Sequence, residues 1–199
     1  MLSIVTETIE EIASIAEFVS GKVRRVRWTN EEIDRKFARR CAEEILSEAE
    51  TFYMNPCLDL TLTTIHSLNV KGFHTQLVMQ AVRVKNIQRT MPHFAIQILE
   101  NDAFLDFNIF NSIILGRGQY SNIRSGITIV SERTYNGSYV SAQKNLLDIL
   151  GVKSFEEVSG MLGDYSFSEH VLNLKKSNSR EKYERYLRLV GEAYKILRV

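Results

Sequence analysis

Cysteine is scarce in this chain of 199 residues, which contains two, Cys41 and Cys57. They form no CxxC pair and no Cys/His cluster at the spacing of metal ligands, which argues against a zinc site. Two thiols in a chain of this length also suit a reducing compartment better than a disulfide-stapled secreted scaffold. The sequence therefore predicts a cytoplasmic protein without a metal centre.

The chain also lacks an excess of charge of either sign and any long apolar run. Its 25 Lys and Arg residues against 24 Asp and Glu residues give a formal net charge of +1, which argues against general binding to nucleic acid. No apolar run approaches the roughly 18 residues that span a bilayer, and the acidic helical pattern at the N-terminus is not typical of an export signal. We therefore expect neither membrane insertion nor export.

Hydrophobic residues make up 44% of the chain, an ordinary globular value. In the first part of the chain they recur at helical spacing. One of these segments begins at Thr29 and has Glu32 three positions later, which is the spacing of a capping box. The basic run KVRRVRW between the first two segments could be a short strand or an extended linker. The patterns predict helices over residues 3–19, 29–51 and 55–68.

Apolar and polar residues then alternate with period two, which is typical of half-buried strands. A helix followed by a three-stranded meander indicates an α+β fold. Beyond Gly116 the patterns weaken, although the last segment has a broad apolar face and predicts a docked amphipathic helix. The expected strands cover residues 76–84, 93–99, 103–107 and 127–130, and the expected later helices cover residues 141–150, 154–162 and 179–197.

Cys57 stands where a reactive thiol is favoured. In Asn55-Pro56-Cys57, asparagine is a good N-cap and proline suits the first helical position, so the cysteine falls on the second. The positive end of the helix dipole there favours the thiolate, which is the form that attacks a carbonyl carbon. The free N–H groups of the first turn could also stabilise an oxyanion. Cys57 is therefore the candidate nucleophile.

A general base is the next requirement, and the chain has four histidines. His66 lies nine positions after Cys57, on the opposite helix face and on the order of 13 Å away. His74 falls after the far end of that helix, and His170 has no clear link to the site. His93 begins a strand that could run back beside the helix start, so it is the expected base.

The third group should orient that imidazole, and Asp106 and Asn108 both lie on the next strand with the same side-chain parity. If paired residues sum to 201, His93 faces Asn108 and Asp106 lies two positions off. If they sum to 203, Asn108 is the nearer diagonal neighbour. We favour Asp106, because a carboxylate stabilises an imidazolium better than an amide does, and Asn108 stays the alternative.

This arrangement resembles the transglutaminase-like superfamily, which is related to papain. The features that carry the resemblance are a cysteine at a helix start, a histidine opening a strand, an acid on the next strand, and the run HFAIQI. They cover roughly residues 29–110. The resemblance implies a nucleophile helix packed on antiparallel strands and a triad of Cys57, His93 and Asp106. Tyr53, just upstream of the cysteine, would be a helper of the oxyanion hole.

The resemblance also implies acyl chemistry on an amide or ester, as in cysteine peptidases, amidases and transglutaminases. The expected substrate is a peptide or another amide-containing molecule, proteins included, and no cofactor or metal is implied. The expected organisation is an N-terminal helix and linker, a catalytic core and a C-terminal helical appendage within one compact domain. These three segments cover residues 1–28, 29–135 and 136–199.

Two other functions stay open. The chain could be a catalytically inactive version of this fold that binds a protein or nucleic acid through the basic segments 22–27 and 83–89. It could also be an N-acyltransferase that takes its acyl group from an acyl-coenzyme A donor, since arylamine N-acetyltransferases use the same type of triad. Salt-dependent binding to nucleic acid would favour the first alternative, and acylation of Cys57 by a thioester would favour the second.

Overall fold

An antiparallel sheet packed against a buried helix is the centre of this α+β fold. The structure is a computed structural model. Its five-stranded sheet has the strand order β6-β5-β4-β3-β7. The strands are β3 (Thr75–Val84), β4 (Thr90–Ile98), β5 (Ala103–Asp106), β6 (Ser112–Leu115) and β7 (Ile127–Asn136). The structure describes residues 2–84, 90–107, 112–115, 127–158, 160–163, 166–185 and 187–188.

Three of the predicted strands are confirmed as β3, β4 and β5, and the strand predicted over 127–130 is the start of the longer β7. β7 pairs along β3, which makes β3 an interior strand between β4 and β7. Strand β4 starts at Thr90, so His93 lies inside this strand rather than at its first residue. Strand β6 was not predicted.

The N-terminal region consists of three helices and a small parallel pair of strands. The first helix and the short strand in the basic run confirm the sequence patterns. The partner of that strand was not predicted, because parallel pairing joins segments that are distant along the chain. These elements are α1 (Leu2–Lys22), β1 (Arg24–Val26), α2 (Asn30–Lys36), α3 (Ala42–Glu48) and β2 (Glu50–Phe52).

The single helix predicted over 29–51 is wrong, because the chain breaks into α2 and α3. The Thr29 capping box is present, but the backbone becomes extended at Phe37 and left-handed at Ala38, with φ of 62°. Cys41 then caps α3 and donates its thiol to Gln143 Oε1 at 3.3 Å. Periodicity does not reveal this break, since the apolar stripe keeps helical spacing on both sides of it.

Helix α4 (Cys57–Val70) is the buried helix of the fold. Its side chains are buried on nearly every face, as expected of a helix that is covered from several directions. It packs on β3 and β4 on one side and on α1 and α3 on the other. The sheet face toward α4 carries Leu77, Met79, Phe94, Ile96 and Leu105, which belong to the same hydrophobic cluster as the helix.

The other face of the sheet is buried as well. Val78, Ala95 and Phe104 form a second apolar cluster there. Because side chains alternate along a strand, His93 and Asp106 share this face with them. Both polar side chains are buried.

Short helices follow the sheet and complete the main core. They are α5 (Gly137–Ser141), α6 (Leu146–Leu150), α7 (Phe155–Val158) and α8 (Phe167–Ser177). Helix α8 was not predicted, although Ser166 caps it by accepting from the Glu169 N–H. Residues 180–185 are helical within the segment predicted as 179–197. Among the described helices, none has both the length and the apolar character required to cross a bilayer.

Gly137 is required where α5 meets the first residue of β3. A Cβ atom at this position would lie 2.0 Å from Thr75 Oγ1 and 2.6 Å from the Thr75 carbonyl oxygen. We expect Gly137→Ala to lower the free energy of unfolding by about 1–3 kcal/mol, measured by urea denaturation, since overpacking forces the backbone to shift.

The matched control is Gly21→Ala. Gly21 lies in α1, and a Cβ atom there would meet nothing within 4 Å. This variant should be as stable as the parent or more stable, because alanine is the better helix former. Equal effects of the two substitutions would contradict the steric explanation.

Candidate thiol site

His93 and Asp106 form a buried pair on neighbouring strands. His93 Nε2 lies 3.0 Å from Asp106 Oδ2, and the two residues are 1% and 0% exposed. Strands β4 and β5 pair with Ile98 opposite Ala103, so paired residues sum to 201. This register places Asp106 diagonal to His93, within reach of its imidazole. The other candidate for the third group, Asn108, lies outside the described residues.

Cys57 lies at the start of α4 and against the strand that carries His93. The residue is 2% exposed, and its thiol donates a hydrogen bond to Asn55 Oδ1 at 2.8 Å. The backbone N–H groups of Phe94 and Leu58 both bond toward the sulfur. Since Phe94 follows His93, the fold brings the nucleophile and the strand of the expected base together.

The thiol is neutral in the folded protein at pH 7. Burial raises the pKa of Cys57 to about 12, and the negative charge of Asp106 acts in the same direction. The N–H groups of Phe94 and Leu58 lower this pKa, but by less than burial raises it. The expectation of a thiolate stabilised by the helix start is therefore wrong for this state, because desolvation outweighs the helix terminus.

The sequence predicted Asn55 as the N-cap of α4, and this prediction is wrong. Asn55 instead links the thiol to a fourth residue, His170. The helix begins at Cys57 with Pro56 as its cap. The Asn55 amide Nδ2 lies 2.8 Å from Nε2 of His170, which α8 positions. The expectation that His170 has no link to the site is thus wrong. The Ser166–Glu169 capping spacing could have revealed the helix that carries His170, but not this contact.

A cleft of about 650 Å³ opens beside these residues. Met54 precedes Asn55 in the chain, and Met91 lies two residues before His93, so the cleft borders the thiol site. Its other walls include both apolar and charged side chains. The residues relevant to the site are Met54, Arg83, Thr90, Met91, Glu169 and His170.

Tyr53 packs among other rings. It is 1% exposed and makes edge contacts with Phe52 at 5.3 Å and Tyr183 at 4.8 Å between ring centroids. Burial raises the pKa of its hydroxyl. These contacts give Tyr53 a structural role, and its part in an oxyanion hole stays a prediction.

The remaining two histidines have partners away from Cys57. His66 Nδ1 is 3.4 Å from the Ser141 carbonyl oxygen, and His74 Nδ1 is 2.8 Å from Glu100 Oε1 on the protein surface. In the described part of the chain, no group of three His, Cys, Asp or Glu residues could hold a metal ion.

A buried ion pair anchors the first turn of α4. Arg40 donates to Asp59 Oδ2 at 2.5 Å, and the Thr51 hydroxyl donates to the same oxygen at 2.8 Å. The Arg40 guanidinium also stacks over Trp28, with 4.7 Å between its carbon and the ring centroid. Burial raises the pKa of Asp59, and the charge of Arg40 opposes this effect. The pair therefore fixes the helix two residues from the nucleophile.

The basic segments offered as a binding surface are only partly described. In segment 22–27, Arg24 and Arg25 lie in β1, and Arg27 donates to the Asn178 carbonyl oxygen. In segment 83–89, residues 85–89 lie outside the described residues.

No family model, curated protein or solved structure matches this chain. The expected family therefore depends on the residues quoted from the sequence alone.

Proposed function

We propose that this protein performs thiol-dependent acyl chemistry on an amide or ester, with Cys57 as nucleophile, His93 as base and Asp106 as its partner. One observation carries the proposal. His93 is bound to Asp106, and the residue after His93 on the same strand, Phe94, directs its N–H toward the Cys57 sulfur. Nucleophilic catalysis of this kind uses a carboxylate-bound imidazole together with a thiol at a helix start.

His93 acts as a general base on a neutral thiol. Because the pKa of Cys57 is about 12, the sulfur attacks the carbonyl carbon as its proton passes to the imidazole. Asp106 accepts from Nε2–H, so the proton arrives at Nδ1, and the carboxylate stabilises the imidazolium. His93 then gives this proton to the leaving amine or alcohol. Water or an amine finally releases the acyl group from the thioester and regenerates the thiol.

Two backbone N–H groups are suited to stabilise the oxyanion. Those of Leu58 and Phe94 already bond toward the sulfur, and the oxygen of a carbonyl attacked by that sulfur would develop its charge nearby. Fixed donors of this kind act strongly in a site without water. They require no rearrangement of side chains, because one belongs to α4 and the other to β4.

The cleft is the proposed substrate site. Met54 and Met91 supply apolar contacts, and Thr90 and Arg83 supply polar ones, which suits a peptide or another amide-containing molecule. An inactive protein of the same fold is the second candidate, and the 2% exposure of Cys57 favours it, because a substrate must displace cover to reach the sulfur.

The decisive experiment is to find which thiol becomes acylated. The wild-type protein and Cys41→Ser are treated with a p-nitrophenyl ester, a peptide amide and an acyl thioester, quenched in acid and mapped by peptide mass spectrometry. We expect the acyl group on Cys57 in both proteins, with no acylation of Cys41. Cys41 is the matched control, since it is the other thiol of the chain.

The outcomes separate the candidates. Acylation by the thioester alone would favour the acyltransferase, whereas acylation by the ester or amide favours hydrolysis or transfer from an amide. Acyl groups on Cys41, or on neither cysteine with all three donors, would contradict the proposed nucleophile and support the inactive fold.

A further inference from the structure

A chain of two hydrogen bonds connects the Cys57 sulfur to the cleft. The thiol donates to Asn55 Oδ1 at 2.8 Å, and Asn55 Nδ2 lies 2.8 Å from His170 Nε2. Asn55 is buried between the two partners, whereas His170 lines the cleft. The amide therefore occupies the space between the proposed nucleophile and a titratable group that a ligand or solvent can reach.

The chemistry of the amide fixes the protons in this chain. An amide oxygen only accepts and an amide nitrogen only donates. With Oδ1 toward the sulfur, the thiol must carry its proton, and with Nδ2 toward the imidazole, His170 Nε2 must be unprotonated. A neutral thiol thus goes together with a His170 that accepts at Nε2.

We infer that Asn55 is a positioning residue of the thiol site and that His170 selects which end of its amide faces Cys57. When His170 gains a proton at Nε2, that nitrogen can only donate, so Oδ1 must turn to it and Nδ2 must turn to the sulfur. The terminal amide torsion is close to two-fold, so both orientations fit the same space. An amide N–H facing the sulfur stabilises the thiolate and a developing oxyanion.

The inference rests on the proposed function for its catalytic meaning, because the donor changes a reaction rate only if the thiol attacks a carbonyl group. The bonds themselves are independent of that function. They predict that protonation of His170 makes the Cys57 thiol easier to deprotonate. By linkage, deprotonation of the thiol makes His170 easier to protonate.

The charged surroundings of His170 and Cys57 bear on this coupling. Arg83 of β3 and Glu169 of α8 share the cleft with His170, while the contacts from Phe37 and Phe167 are uncharged rings. The neighbouring helices α2 and α7 also carry charged side chains. Among them, Asp34 accepts from Lys175 of α8, and Glu157 accepts from the backbone N–H of Lys153. The carboxylates that act on the Cys57 thiol are Asp106 and Asp59.

Nuclear magnetic resonance on the Cys41→Ser protein tests the inference without a substrate. The Cys57 ¹³Cβ and Asn55 side-chain ¹⁵N resonances are followed as the pH falls through the range of histidine titration, about 6.5. We expect both resonances to change with one midpoint, equal to that of the His170 ring. In His170→Ala this shared midpoint should disappear from both.

Two further variants make the result specific. In Asn55→Ala the His170 ring should still titrate while Cys57 no longer follows it, because the connecting amide is absent. In His93→Ala the coupling should persist, since His93 has no part in it. A Cys57 resonance that keeps its midpoint in His170→Ala, or that never follows His170 in the parent, would overturn the inference.

Failure of this coupling and failure of the proposed function are distinguishable. If Cys57 follows His170 but no donor acylates it, the hydrogen-bonded chain is correct and the acyl chemistry is wrong. If Cys57 is acylated at a rate with the same pH profile in His170→Ala as in the parent, the chemistry is correct and the role of His170 is wrong.

Discussion

Replacing His93 with alanine is expected to lower the rate of Cys57 acylation by about 10⁴-fold, the upper end of what a general base contributes. The reason is the high pKa of the thiol. Because burial raises the pKa of the thiol to about 12, the thiolate is scarce at pH 7, and attack without a base depends on this small fraction. The measurement is the acylation rate of the Cys41→Ser protein, followed by intact-protein mass.

The matched control is His74→Ala, which removes an exposed imidazole paired with Glu100. It should leave the acylation rate unchanged. Asp106→Asn separates the roles within the pair, because it keeps the shape but removes the charge that stabilises the imidazolium. We expect Asp106→Asn to retain the fold and to lower the acylation rate by most of the factor expected for His93→Ala. Acylation at the parent rate in His93→Ala would exclude His93 as the base.

Local patterns predicted much of the sheet and the first helix. Period-two alternation located β3, β4 and β5, because each of these strands carries its own signal in a few residues. The Thr29 capping box was likewise correct. The break between α2 and α3 escaped prediction, because the apolar stripe keeps helical spacing across it. Phe37 at the break stacks on Phe167 of α8, a contact between residues far apart in the sequence.

The candidate site also has one part that the sequence could predict and another that it could not. The parity that brings Asp106 beside His93 follows from strand alternation and a short turn, so the sequence could predict this pair. The contact between Asn55 and His170 joins residues 115 positions apart, which no local pattern specifies. The pKa of Cys57 was misjudged for a similar reason, because the helix terminus is visible in the sequence whereas the burial that outweighs it is tertiary.

The largest expected effect on stability comes from the ion pair beneath the nucleophile. Arg40 and Asp59 are each 4% exposed, so removing the guanidinium leaves a buried carboxylate without its charged partner. We expect Arg40→Met to lower the free energy of unfolding at pH 7 by about 3–5 kcal/mol, the usual cost of breaking a buried pair from one side. Urea denaturation measures this loss.

The pH dependence of that loss identifies its cause. Burial already raises the pKa of Asp59, and loss of Arg40 should raise it further, because the opposing positive charge is gone. A carboxyl group whose pKa is raised in the folded state contributes stability when protonated, and this contribution is lost as the pH rises through the folded-state pKa. The deficit of Arg40→Met relative to the parent should therefore shrink as the pH falls toward the unfolded value for aspartate, about 3.9.

The double variant Arg40→Met/Asp59→Asn supplies the matched control. It removes both charges, so most of the lost stability should return at pH 7. Because Asp59 is no longer there to be protonated, the difference in stability from the parent should not shrink as the pH falls. Equal losses in the single and double variants would instead assign the effect to the other contacts of Arg40, which are those with Trp28, Glu48 and the Glu50 carbonyl oxygen. In that case the start of α4, and with it the position of Cys57, would depend on these contacts rather than on the ion pair with Asp59.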